Sequence, residues 1–145
     1  MPHPLIILLL AALFPALARA DDEAANAAEL ARLAGRFERT MKNEAGTEFR
    51  VVQDIVGDQS TVTTYDDIGQ VVTAHTSSFK VEQRGGIRVL TFFNFKATAG
   101  PDKGRESPTP RSFIYRLEGD NLAEVWGLLA EDKSPPRMHF WKRAK

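Results

Sequence analysis

Residues 115–126 read "YRLEGDNLAEVW", and the phase of their alternation decides what kind of fold this chain adopts. A two-residue Gly119-Asp120 loop suits a type I′ or II′ turn, whose twist matches that of two paired strands. Such a loop sets Glu118 opposite Asn121 and Leu117 opposite Leu122. Side chains two apart share a face. Leu117, Tyr115 and Phe113 therefore line one side of the first strand, and Leu122, Glu124, Trp126 and Leu128 continue that side on the second. The apolar face belongs inside, which carries Glu124 inward opposite Tyr115. A buried carboxylate costs several kcal/mol unless it is paired or hydrogen-bonded. Glu124 is thus the residue of this hairpin that most needs a partner.

The same period of two runs outward along the chain. Strands are expected at 36–42, 48–56, 60–65, 70–83, 87–98, 111–118, 122–129 and 137–143. Between them stand the turn-rich stretches "NEAGT", "VGDQ", "DDIG", "RGG", "EGDN" and "DKSPP". Strands joined mostly by tight turns make an antiparallel up-and-down meander, which protects its edges by closing into a barrel. The fold class expected is therefore all-β, an eight-stranded antiparallel barrel. In "EQRGGIRVLTFFNF" (82–95) two registers compete. A two-residue Gly85-Gly86 loop pairs Val81 with Leu90 and Phe79 with Phe92, whereas a three-residue loop pairs Val81 with Val89 and Glu82 with Arg88. The second is preferred here; it places Val89, Phe93 and Phe95 inside and leaves Leu90 and Phe92 for a helix to cover. One short N-terminal helix supplies it: Glu23 to Ala34 are strong helix formers, Gly35 can end the run, and Leu30, Leu33 and Phe37 form a narrow apolar stripe. It is expected to lie against the strands or to close one end of them.

Residues 1–20, "MPHPLIILLLAALFPALARA", carry an apolar run from Leu5 to Ala18 and a small-x-small Ala18-Arg19-Ala20 pattern, which reads as a cleaved signal peptide. The run is shorter than the roughly 20 apolar residues of a membrane-spanning helix. The mature chain, 21–145, is then 145 − 20 = 125 residues, one domain, secreted or periplasmic, with no membrane span after cleavage. Without Arg19 it holds 18 Lys and Arg against 19 Asp and Glu, so charge offers nothing to nucleic acid or an anionic membrane. The chain has no Cys, which excludes disulfides, lipid attachment after the cleavage site, thiol nucleophiles and Cys-based metal sites.

Catalytic signatures are absent: there is no nucleophile elbow, P-loop, dinucleotide fingerprint or HExxH motif. "GPDKG" (100–104) lacks the spacing and trailing Ser or Thr of a phosphate loop. The segment 99–110 is read as a strand connector stiffened by Pro101, Pro108 and Pro110, with a gating role at a barrel mouth as a further reading. His75 and His139 fall in separate strands with no metal-ligand spacing and are read as surface or packed side chains. No catalytic residue, metal or cofactor is expected, and the chain is not read as an enzyme. What remains is the inward set Phe79, Phe93, Phe95, Phe113, Tyr115 and Trp126, which would line a ligand cavity with Glu124 and Tyr115 as its polar handle. Eight strands enclose an interior that either side chains fill or one small ligand occupies. Two readings therefore stand: a binding domain for a small hydrophobic ligand, or a ligand-free structural or protein-interaction module of the cell envelope.

Two stretches carry a family resemblance. "ELARLAGRFERTMKNEAGTE" (29–48) resembles the opening of lipocalin-like (calycin) domains, in which a helical lead-in precedes Gly-x-Trp on the first strand; here the motif is Gly35-Arg36-Phe37. "AGPDKGRE" (99–106), "FIYRLEGDNL" (113–122) and "MHFWKR" (138–143) are similar to the second half of a family of small, uncharacterised, secreted bacterial lipocalin-like domains. The resemblance implies an up-and-down barrel closed by a contact between Arg143 and the ring at position 37. Phe37 in place of Trp weakens that cation–π contact and removes an indole donor. The resemblance implies no established activity. Calycins at large often bind small apolar molecules, an analogy at the level of fold.

Overall fold

The structure, a computed structural model, describes residues 14–133 and 135–145. The expected leader, 1–20, lies for the most part outside the described residues. Helix α1 (Phe14–Leu33) is followed by β1 (Gly35–Lys42), β2 (Glu48–Val56), β3 (Gln59–Tyr65), β4 (Val71–Arg84) and β5 (Ile87–Ala99). A two-residue β6 (Glu106–Ser107) precedes β7 (Arg111–Glu118), β8 (Asn121–Trp126) and β9 (Arg137–Arg143). Each long strand pairs antiparallel with its neighbour in the chain, and β9 returns to β1 through Phe37 opposite Arg143. The result is a closed eight-stranded up-and-down barrel, consistent with a calycin-like fold.

Turn chemistry explains the registers. On β7 and β8, Glu118 faces Asn121, Leu117 faces Leu122 and Tyr115 faces Glu124, as the two-residue loop requires. The preferred three-residue loop between β4 and β5 is corrected. Arg84 pairs with Ile87 and Val81 with Leu90 around a two-residue turn. Gly85 and Gly86 have φ of +55° and +87°, the double left-handed conformation of a type I′ turn. Leu90 and Phe92 therefore join Phe79 and Val81 on the core side, with Val89 on the other face.

Farther along β5, the ladder steps from Ser78–Phe93 to Thr76–Lys96, and Asn94 adopts φ +54°. This extra residue is a bulge. It reverses the alternation, so Phe95 turns inward and packs on His75 with ring centroids 4.7 Å apart. Strand β8 was expected to reach Leu129 but stops at Trp126. Gly127 takes φ +73° and its N–H donates to Asp132 Oδ2 at 2.6 Å, and Leu128 ends up 58% exposed rather than on the inner face.

The helix also departs from its expected limits of 23–34, running from Phe14 to Leu33. Leu33 is fully buried in a cluster with Phe37, Val51, Ile55, Phe79, Leu90, Tyr115, Leu122 and Trp141, with Leu30 packed against it. The helix thereby closes one end of the barrel. Its Glu29 is buried there, accepting from the Tyr115 hydroxyl at 2.9 Å and pairing with Arg88 at 2.5 Å and Arg32 at 2.7 Å. Burial by itself would raise the Glu29 carboxyl, but these three donors outweigh it and hold the group below the usual carboxylate range.

The expected closing contact is present. The Arg143 guanidinium lies 4.5 Å from the centre of the Phe37 ring and donates to the carbonyls of Arg32 and Ala34. Gly35 makes room for it: φ is +126°, and a Cβ there would stand 2.6 Å from Arg143 Nη1. One side chain thus ties the helix end to the first and last strands.

Candidate functional site

Toward the other end the barrel is not filled. A cavity of about 290 Å³ begins above the core cluster and runs up to the connector between β5 and β7. Its apolar wall is aromatic, made by Phe92, Phe95, Phe113, Trp126 and Trp141, with Phe93 and Val62 at its border. Phe113 and Trp126 stack at 4.2 Å with an 11° interplanar angle, and Trp126 meets His139 at 4.7 Å. Stacked and tilted pairs of this kind hold their rings in place.

The connector forms the rim. It folds back along β5: the Arg105 carbonyl accepts from Ala97 N–H, Gly104 N–H donates to the Ala97 carbonyl, and Glu106 pairs with Lys96 at 3.0 Å. Asp102, Arg105, Ser107 and Thr109 thereby border the cavity. Gly100 allows the connector to leave the barrel, since a Cβ there would stand 2.6 Å from the Val72 carbonyl oxygen and its φ is +93°. "GPDKG" is accordingly the turn of a ribbon laid over the mouth.

Of the seven side chains expected to line a ligand site, the structure brings five together: Phe93, Phe95, Phe113, Glu124 and Trp126. Phe79 and Tyr115 belong to the core nearer the helix and are not part of the cavity wall. The expected Glu124–Tyr115 handle is corrected. The two residues face each other in register, but the Tyr115 hydroxyl is drawn to Glu29 on the helix. Glu124, 3% exposed, instead accepts from the Trp141 indole N–H at 3.0 Å. Complete burial pushes its carboxyl up, an effect that the Trp141 donor and the charge of Arg39 only partly offset.

His75 and His139, expected as surface or packed side chains, both line the cavity. Burial and the nearby Arg111 lower His75. Burial, then Arg39 and Arg137, pull His139 down to about 4, so both rings are neutral at pH 7. Among the described residues, no group of three or more His, Cys, Asp and Glu gathers in a way that could hold a metal ion.

No family model, no curated protein and no solved structure matches this chain.

Among the wall residues that the sequence reading missed are Arg39, Gln53 and Trp141. Alternation held the signal, because Arg39 is two residues from inward Phe37, Gln53 lies between Val51 and Ile55, and Trp141 lies between His139 and Arg143. The Arg39 guanidinium sits 4.8 Å above the Trp141 ring. Gln53 spends its amide N–H on Ser60 Oγ at 3.1 Å. Three buried polar atoms lack any hydrogen-bond partner among the described residues, namely Arg39 Nε, Gln53 Oε1 and Trp126 Nε1. The Trp126 indole leans toward Glu124 without reaching hydrogen-bond geometry. All three residues line this cavity. Unmade hydrogen bonds in a closed interior each cost about 1–3 kcal/mol, and here they are gathered around one void.

Proposed function

We propose that this chain is an exported lipocalin-like binding domain that takes one small molecule with a flat apolar body into its barrel, and that it acts by binding rather than by catalysis. The observation that carries this reading is the cavity of about 290 Å³, walled by aromatic rings and lined by polar atoms without partners. Its volume stands at the lower edge of the roughly 300–1,000 Å³ of small-molecule sites. At about 30 Å³ for a water-sized unit or somewhat less for bonded atoms, it suits a ligand on the order of ten to fifteen non-hydrogen atoms. The connector 99–110 would control access. The leader-like residues 1–20 support export, and the balanced charge gives nucleic acid no purchase.

Native mass spectrometry of the protein purified from its own host tests this. A bound molecule of a few hundred daltons or less is the expected result. An adduct-free barrel that also takes up none of a panel of small aromatic compounds would overturn it.

A second reading, a protein-interaction module, is favoured by one feature of the outer wall. Met138 and Phe140 are 58% and 66% exposed and stand opposite Val125 and Ala123, giving an apolar strip along β8 and β9. Cross-linking in the host that captures one reproducible partner through this strip, with an empty barrel, would favour it.

A further inference from the structure

Resting on the binding reading above, we propose that the cavity selects a small aromatic monocarboxylate, its acid group held at Arg39 and its ring lodged among Phe95, Phe113 and Trp126. Arg39 projects into the cavity from β1, and its Nε is buried without a hydrogen-bond partner. It has no ion pair among the described residues. Its stacking on Trp141 occupies one face of the guanidinium and leaves the in-plane N–H donors free. An in-plane carboxylate is the group that such a fork recognises best.

The nearest candidate for an internal counter-charge is Glu124, and it is already engaged. It accepts from Trp141, and burial opposes its ionisation. A half-buried guanidinium with no ion pair is a site short of negative charge. The rim continues that bias. Arg105 and Arg111 border the cavity, with Asp102 lying 3.8 Å from Arg105 as a partial offset. Among the described residues, the single guanidinium inside the barrel has room for one carboxylate, and Arg39 is that guanidinium. The Trp126 N–H and the Gln53 carbonyl oxygen offer one further donor and one acceptor to polar substituents of the ligand. Aromatic walls favour a ring over a flexible chain, because stacking needs little ordering of the guest.

The test is calorimetric titration of the mature chain with cinnamate and, in parallel, with cinnamyl alcohol, which keeps the ring and removes the charge. Cinnamate is expected to bind at least tenfold more tightly. Arg39→Met should abolish that preference, and Arg39→Lys should restore part of it. Should Arg39→Met fail to fold, the comparison of the two compounds on the unaltered chain still decides. Equal binding of acid and alcohol would overturn the charge assignment and leave a binding barrel standing. Binding of neither at millimolar concentration would overturn both.

Discussion

Replacing Gly35 with Ala should damage the barrel at its seam. Two costs are visible. First, φ of +126° lies where only glycine is comfortable, so alanine there costs about 1–3 kcal/mol. Second, the new methyl would stand 2.6 Å from Arg143 Nη1, so the guanidinium must leave. With it go the donations to the Arg32 and Ala34 carbonyls and the seat over Phe37. The Arg143 side chain is 26% exposed, so its two hydrogen bonds are discounted to about 1 kcal/mol each, with about 0.5–1 kcal/mol for the ring contact. Arg143 can re-hydrate in part, which brings the total to about 3–5 kcal/mol, a large share of the stability of any small domain. For a domain of this size that corresponds to a fall in Tm of about 10–20 °C.

Urea denaturation and calorimetry of the protein measure it. Pairing Gly35→Ala with Arg143→Ala isolates the steric part: once the guanidinium is gone, only the backbone strain remains. The two substitutions should therefore be less than additive by about 1–2 kcal/mol. A Tm within about 3 °C of the unaltered chain, or strict additivity, would refute the seam as described.

Glu124→Gln should change how stability depends on pH. The folded-state pKa of Glu124 is raised, so the native chain holds a proton that the unfolded chain releases near pH 4.3. The group's contribution is full below that value and is lost as pH rises through the raised folded pKa. Removing it should make the variant gain on the unaltered chain as pH increases, and a difference in Tm that does not vary with pH would contradict the buried placement. Tyr115→Phe keeps the ring but deletes the hydroxyl that donates to Glu29 Oε1 at 2.9 Å. Arg88 and Arg32 still serve Glu29, so a loss of about 1–2 kcal/mol by urea denaturation is expected, and a change below about 0.3 kcal/mol would remove Tyr115 from the list of helix anchors.

The β7–β8 hairpin was legible because a two-residue turn leaves only one register, and that register sends Glu124 inward whatever the rest of the chain does. The β4–β5 hairpin was not, because two adjacent glycines suit either loop length until the strands they join are packed. The Asn94 bulge had only a weak signal in residue type, since asparagine tolerates the left-handed conformation without requiring it, and without the bulge Phe95 is misplaced relative to Phe92. Within the site, alternation about the Gly119-Asp120 turn found Phe113, Glu124 and Trp126, whereas Phe93 and Phe95 were expected there through a register that the structure corrects. Arg39 and Gln53 obeyed the same alternation but were passed over, since a polar residue between apolar ones reads as an exception until the interior is seen to hold a void.

By itself the amino-acid order determined the strands, their sequential pairing and, for most of them, the face each side chain takes, because these depend on period and turn length, which are local. Only the tertiary structure decided where along the barrel axis each inward residue lies. Helix α1 and its Leu33 fill one end, which assigns Phe79 and Tyr115 to the core. The level of Arg39, Glu124 and Trp126 is left as an unfilled cavity. That division follows from the stagger of the strands and the depth of the helix, both set by contacts between residues far apart in the chain.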